Sequence, residues 1–138
     1  MSKTFIDTNI LVYAMDQTDL VKQNTARSLL RSLQGEEGDV GVLSTQVLQE
    51  FYVVCTKKLQ LDPLLAKGIL QSLSHFETAI ITPEDILRAI DCSILNRLSF
   101  WDALIIVSAA GASCDRIITE DLTHGQVVCG VRIENPFV

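Results

Sequence analysis

The chain has 138 residues, 48% of them hydrophobic, which suffices for one buried core and calls for no second domain. Aromatic residues are only 6%, so the core must rest on Leu, Ile, Val and Ala, as in a parallel sheet flanked by helices. A formal net charge of -6 and a pI near 4.7 exclude a generic polyanion binder; a nucleic-acid substrate would need bound cations or a basic partner to offset phosphate repulsion.

Lys3 to Ile6 is a short apolar run that ends in a carboxylate, Asp7, and helical spacing resumes at once. This predicts strand, acid, helix, with Asp7 at the carboxyl edge of a sheet, where open α/β folds keep their binding crevices. Met1-Ser2-Lys3 lacks the basic region and apolar stretch of a signal peptide. Asn9 to Met15, apolar on all sides, is expected to form a short buried turn of helix. Asp19 to Leu33 reads as an amphipathic helix with Val21, Ala26, Leu29, Leu30 and Leu33 on one face and Lys22, Arg27 and Arg31 on others. Gly35-Glu36-Glu37-Gly38-Asp39 signals a turn before a second strand, Val40 to Leu43. Ser44 or Thr45 caps a helix to about Leu59, and Asp62-Pro63 opens another to about Phe76.

Thr78 to Ile81 is predicted as a third strand. Thr82-Pro83-Glu84-Asp85 then places a cap, a proline and two acids at the start of a helix from Pro83 to about Arg97. Ser99 starts the next helix, apolar on nearly every face and expected deep in the core until Gly111 stops it. Arg116 to Thr119 and Val131 to Ile133 supply a fourth and a fifth strand. Strands alternating with helices predict the α/β class: right-handed parallel crossovers and a sheet covered on both faces. The apolar run Ala103 to Ala112 is too short to span a bilayer, and Cys55, Cys92, Cys114 and Cys129 lack metal-ligand spacing. The expectation is a soluble cytoplasmic protein with reduced core thiols.

Four acids carry the functional reading, each beside a structural alternative. Asp7 follows a strand, and as a helix cap it would accept from the backbone just after it. Glu50 lies at helical spacing from Val47 and Val54, so it is a carboxylate on an apolar stripe; alternatively it is an amide-paired residue at the core boundary. Asp102 completes the capping-box pattern Ser99-x-x-Asp102, yet it shares a face with Ile105 and Ile106. Asp121 repeats the strand-then-acid arrangement after Ile117 and Ile118, with Glu120 competing beside it; turns also favour Asp for local bonding. If the four converge at one sheet edge, unit charges about 4 Å apart repel by about 4 kcal/mol per pair at an effective dielectric near 20, which only protons or cations relieve. Oxygen ligands without His or Cys suit Mg²⁺ or Mn²⁺, and these suit phosphoryl chemistry. His75 and His124 lack ligand spacing, no phosphate-binding loop or Gly-x-Ser-x-Gly elbow occurs, and Lys22, Arg27, Arg31, Lys57 and Lys58 read as solvated helix faces.

Phe5-Ile6-Asp7-Thr8-Asn9, Glu50 on a helix, Trp101-Asp102-Ala103-Leu104-Ile105 and Thr119-Glu120-Asp121-Leu122 together resemble a PIN domain, and most of all the VapC-type toxins of prokaryotic toxin–antitoxin pairs. The resemblance spans residues 1–138 as a single PIN domain, since Gly130 to Phe137 is similar to the family's final strand. It implies a central parallel sheet of about four to five strands with helices on both faces. It also implies an acidic pocket holding one or two Mg²⁺ or Mn²⁺ ions on Asp7, Glu50, Asp102 and Asp121, with Asn9 and Thr119 orienting those carboxylates. Glu120 falls where the family varies, so the resemblance assigns it no ligand role and leaves its part in the site open. The implied reaction is hydrolysis of an RNA phosphodiester, single-stranded or structured and tRNA among the candidates, to 5′-phosphate and 3′-hydroxyl products. A homodimer and a small antitoxin protein that occludes the pocket are the implied partners. The alternative reading is a catalytically silent PIN module that binds RNA or a protein; a metal-dependent phosphatase on a similar scaffold is a third. A pure scaffold has no need of a strained acidic pocket, which favours the nuclease.

Overall fold

The structure, a computed structural model, describes residues 2–34 and 39–138, so most of the expected turn at Gly35 to Asp39 lies outside the described residues. The central strand is β1 (Ser2–Ile6), followed by α1 (Thr8–Met15), α2 (Leu20–Ser32), β2 (Asp39–Ser44), α3 (Thr45–Lys57) and α4 (Pro63–Ser72). A 3-10 turn at Leu73–His75 leads into β3 (Glu77–Ala79), and then come α5 (Pro83–Asn96), α6 (Phe100–Gly111), β4 (Arg116–Ile118), β5 (Val127–Val128) and β6 (Val131–Glu134). The sheet runs β3-β2-β1-β4-β6-β5, parallel except where β5 meets β6. Phe5 and Ile6 point to opposite faces of β1, yet both are fully buried, as are Val42 and Leu43 in β2 and Ile117 and Ile118 in β4. Both faces of the sheet are therefore covered, which is why these strands read as unbroken apolar runs.

β1 has β2 on one side and β4 on the other, and the chain reaches them by crossovers that leave in opposite directions. That reversal opens a crevice at the carboxyl ends of β1 and β4, the place where open α/β sheets bind ligands. Local signals set the helix starts that surround it. Ser44 Oγ accepts from Val47 N–H at 3.3 Å, and Thr82 and Asp85 form a reciprocal capping box.

The expected strand Thr78 to Ile81 is corrected to Glu77–Ala79. Ile81 N–H turns away to Thr45 Oγ1 at 3.2 Å and Ile80 is 74% exposed, so the chain leaves the ladder before these apolar residues are reached. The helix expected to reach Phe76 ends at Ser72 in the 3-10 turn. A sixth strand, β5, was not expected: Cys129 and Gly130, both at positive φ (50° and 78°), make a two-residue hairpin onto β6. This turn leaves Cys129 exposed, whereas the other three cysteines are buried as expected.

Gly41 marks the tightest contact under β2. A Cβ at Gly41 would meet two Phe76 ring carbons at 2.7 Å and Ile6 Cδ1 at 3.1 Å. Phe76 is itself only 6% exposed, so its ring has little room to retreat. Gly41→Ala is expected to lower unfolding stability by about 1–3 kcal/mol, the usual range for overpacking. A shift of the urea midpoint at unchanged slope checks this, and an unshifted midpoint would mean that the ring yields freely.

Candidate functional site

The β1–β4 register pairs Ile6 with Ile118, and the ladder continues one step through Asp7 N–H to Ile118 O at 3.1 Å. The next residue on the β4 side is Thr119, and its hydroxyl donates to Asp7 Oδ2 at 2.7 Å. Asp7 Oδ1 meanwhile accepts from Thr8 N–H at 2.7 Å, so Asp7 does cap α1. The cap and the site acid are one side chain. Asn9 Nδ2 reaches Asp121 Oδ2 at 3.0 Å, Thr119 Oγ1 at 3.4 Å and Asp7 Oδ2 at 3.5 Å, while Asn9 Oδ1 accepts from Glu120 N–H at 3.3 Å. Thr119 and Asn9 thus tie the two strand-end acids together.

Glu50 approaches from α3. Gln46, one turn earlier, donates through Nε2 to Glu50 Oε1 at 2.7 Å and to Trp101 O at 3.3 Å, and Thr8 Oγ1 donates to Glu50 Oε2 at 3.4 Å. Asp7, Glu50 and Asp121 line one cavity of about 290 Å³. Asp102 is placed differently: it lies half-buried in the first turn of α6, its N–H bonded to Ser99 Oγ at 3.1 Å, and it is not part of that lining. Only the Ser99 half of the expected capping box forms among the described residues, so the Asp102 carboxylate is not spent on the helix start.

Burial raises the Asp7 carboxyl to about 6; the bonds from Thr119 and Thr8 oppose that shift, and the charges of Asp121 and Glu50 add to it. Among the described residues no three His, Cys, Asp or Glu side chains are gathered tightly enough, as they stand, to hold a metal ion.

Further residues bear on the site: Glu120, weighed from sequence beside Asp121, and Lys22 and Lys58, read there as solvated helix faces. Glu120 lines the same cavity and accepts from Tyr13 OH at 2.6 Å and from the Lys22 ammonium. Burial alone would raise the Glu120 carboxyl, but the bonds from Lys22 and Tyr13 outweigh it and hold Glu120 below its ordinary range. Lys22, read from sequence as a solvated helix cation, is half-buried, with its ammonium 4.7 Å from the Tyr13 ring centroid and 5.1 Å from that of Phe137. Lys58, exposed to solvent, lies on the cavity wall, close enough to act on Asp16 and Glu120 electrostatically. No periodicity marks a cation whose partner lies on a distant segment.

With strand order, acid positions and helix starts in place, the comparison with known proteins is decisive on one point: the family model described as PIN domain matches residues 4–127. The chain belongs to the PIN domain family. No curated protein sequence matches it. Among solved structures this PIN domain is similar to a toxin–antitoxin complex from Klebsiella pneumoniae, at 21% identity over 96% of this chain and 97% of that one with a TM-score of 0.69. It is also similar to the Mycobacterium tuberculosis toxin VapC20, a sarcin–ricin-loop-cleaving toxin, at 18% identity over 83% and 86% with a TM-score of 0.65. VapBC-1 from nontypeable Haemophilus influenzae gives 17% identity over 99% of both chains and a TM-score of 0.67. At such identities the likeness establishes the fold of the PIN domain, and the chemistry must be argued from its own residues.

The buried Asp7 makes stability depend on pH. Its folded pKa of about 6 lies above the ordinary 3.8, so folding favours the protonated form. That contribution is complete below about pH 4 and is lost as pH rises through about 6, a change of up to about 3 kcal/mol. In metal-free protein the melting temperature is expected to fall from about pH 5 to about pH 7.5, and Asp7→Asn to flatten the profile. Parallel pH profiles for the two proteins would refute this account of Asp7.

Proposed function

We propose that this PIN domain is a Mg²⁺- or Mn²⁺-dependent endoribonuclease, the toxin of a toxin–antitoxin pair. The observation that carries the reading is the convergence of Asp7, Glu50 and Asp121 on one cavity, with the charge on Asp7 disfavoured by burial and by the other two. Such a set gains from a divalent cation, and its donors are hard oxygens throughout. The residues therefore fit Mg²⁺ or Mn²⁺ in kind. Asp102 is the fourth acid of the reading, its carboxylate left available at the start of α6.

When bound, the ion supplies Lewis acidity toward an attacking water and toward the departing oxygen of an RNA phosphodiester. The chain's own residues do the rest. Thr119 and Asn9 hold Asp7 and Asp121 in one orientation, and Gln46 and Thr8 do the same for Glu50. Lys58 adds the positive charge on the cavity wall that a phosphate backbone requires in a chain of net charge -6. The partners in this reading are RNA, a second copy of the chain and a small antitoxin. The antitoxin is suggested by the toxin–antitoxin complexes among its structural relatives. Among the described residues no helix is long and apolar enough to cross a membrane.

Cleavage of total RNA by wild type with Mg²⁺, with Mn²⁺ and with chelator tests the proposal. Discrete fragments are expected with metal alone, none with Asp7→Asn or Asp121→Asn, and a loss of about 10- to 100-fold with Asn9→Ala, whose side chain only orients the acids. Undiminished cleavage by both acid variants would sink the nuclease. If neither Mg²⁺ nor Mn²⁺ gives binding heat and no RNA is cut, the silent module that binds RNA or a protein replaces it.

A further inference from the structure

Beside the acid cavity lies a second groove, of about 480 Å³, lined by Gln46, Gln49, Glu50, Val53, Val54 and Trp101. Its wall is largely apolar, and its outer edge is the indole of Trp101, 63% exposed and braced edge-to-face on Phe100 at 5.1 Å between ring centroids. The two hollows share a wall, because Glu50 and Val54 line both. Gln46 joins them mechanically, since its amide holds both the Glu50 carboxylate and the Trp101 carbonyl.

The α3 helix sets the order of these groups. Gln46, Glu50, Val54 and Lys58 follow at four-residue spacing, one stripe along the helix, with about 12 Å of axial rise from Glu50 to Lys58. From one hollow to the next the lining passes from Trp101, which lines only the groove, through Glu50 and Val54, which line both, to Lys58, which lines only the acid cavity. A nucleotide strand has the same sequence of parts: an uncharged base face, the phosphate to be cut, and a further phosphate. A phosphate in the Trp101 groove would meet Glu50 without a cation, whereas a base carries no charge and offers a π face to the indole. The exposed Gln49 amide can pair with the edge of such a base.

We propose that Trp101 with the Val53–Val54 face of α3 forms a nucleobase subsite, in which an unpaired base next to the scissile phosphate stacks on the indole. This rests on the nuclease reading of the acid cavity and names the part of the substrate that the neighbouring groove takes. The strand then runs from the Trp101 groove across the acids toward Lys58, and RNA unpaired at the cut site is preferred to duplex, whose bases are unavailable for stacking.

Trp101 is the chain's only tryptophan, so its fluorescence reports the subsite directly. The probe is a short single-stranded RNA with cleavage-resistant phosphorothioate linkages, end-labelled for anisotropy and titrated in Mg²⁺. Indole quenching is expected to saturate together with the anisotropy. With cleavable RNA, Trp101→Ala is expected to raise KM by about 10- to 100-fold and change kcat little, and Trp101→Phe to recover most of the loss. Trp101 lies at the surface, and an unchanged melting temperature confirms that the variants fold. Anisotropy that rises without quenching, or an unchanged KM in Trp101→Ala, overturns the subsite and leaves the nuclease standing. RNA that is neither bound nor cut overturns both. Fluorescence that follows protein concentration or an added amphipathic peptide, and ignores RNA, makes the groove a protein interface and likewise overturns the proposal.

Discussion

Asp7 bears a charge that its surroundings make costly, and the arrangement of the crevice follows from that cost. The residue ends the central strand, is almost wholly enclosed, and has its carboxyl raised to about 6 by burial with further pressure from Asp121 and Glu50. Three groups offset part of the penalty: the Thr8 amide, the Thr119 hydroxyl and the Asn9 amide. None of them carries a full positive charge. The carboxylate is therefore hydrogen-bonded yet uncompensated, a condition that structural ion pairs avoid and that cation sites use.

The elements around Asp7 are held by longer-range ties. The loop after β4 is fastened from three directions: Asn9 bonds the Glu120 N–H, Tyr13 and Lys22 bond the Glu120 carboxylate, and Asn135 Nδ2 reaches the Glu120 carbonyl at 3.5 Å. His124 Nδ1 accepts from Asn135 N–H at 3.0 Å, and Phe137 packs edge-to-face on Tyr13 at 5.1 Å between centroids. The carboxyl-terminal segment thus braces the loop that carries Asp121. Glu120 serves that brace, which explains how an acid on the cavity wall contributes by position.

Much of the fold was legible because its signals are local. Pro83 behind Thr82, Pro63 behind Asp62, and the unbroken apolar pairs Phe5-Ile6 and Ile117-Ile118 each point to one element whatever lies elsewhere. The failures were equally physical. Ile80 and Ile81 have strand propensity, but Ile81 N–H bonds Thr45 instead of the ladder. The Val127–Val128 strand is too short for alternation to register, and its turn uses Cys129 where Asn or Gly is the usual signal. Glu50 was singled out by spacing and lines the cavity, while Lys22 was taken for a solvated cation because spacing does not reveal a partner on another segment.

By itself the sequence determined the element types, the α/β class, and which acids end strands or interrupt apolar helix faces, since these depend on neighbours a few residues away. The tertiary structure alone decided the strand order, the sharing of one cavity by Asp7, Glu50 and Asp121, and the placement of Asp102 in the first turn of α6 outside that lining. It also decided that Asp7 pays for its position in desolvation and that Trp101 borders a groove that shares Glu50 and Val54 with the acid cavity. Burial and electrostatic coupling are properties of segments brought together across about a hundred residues of chain, and no local pattern encodes them.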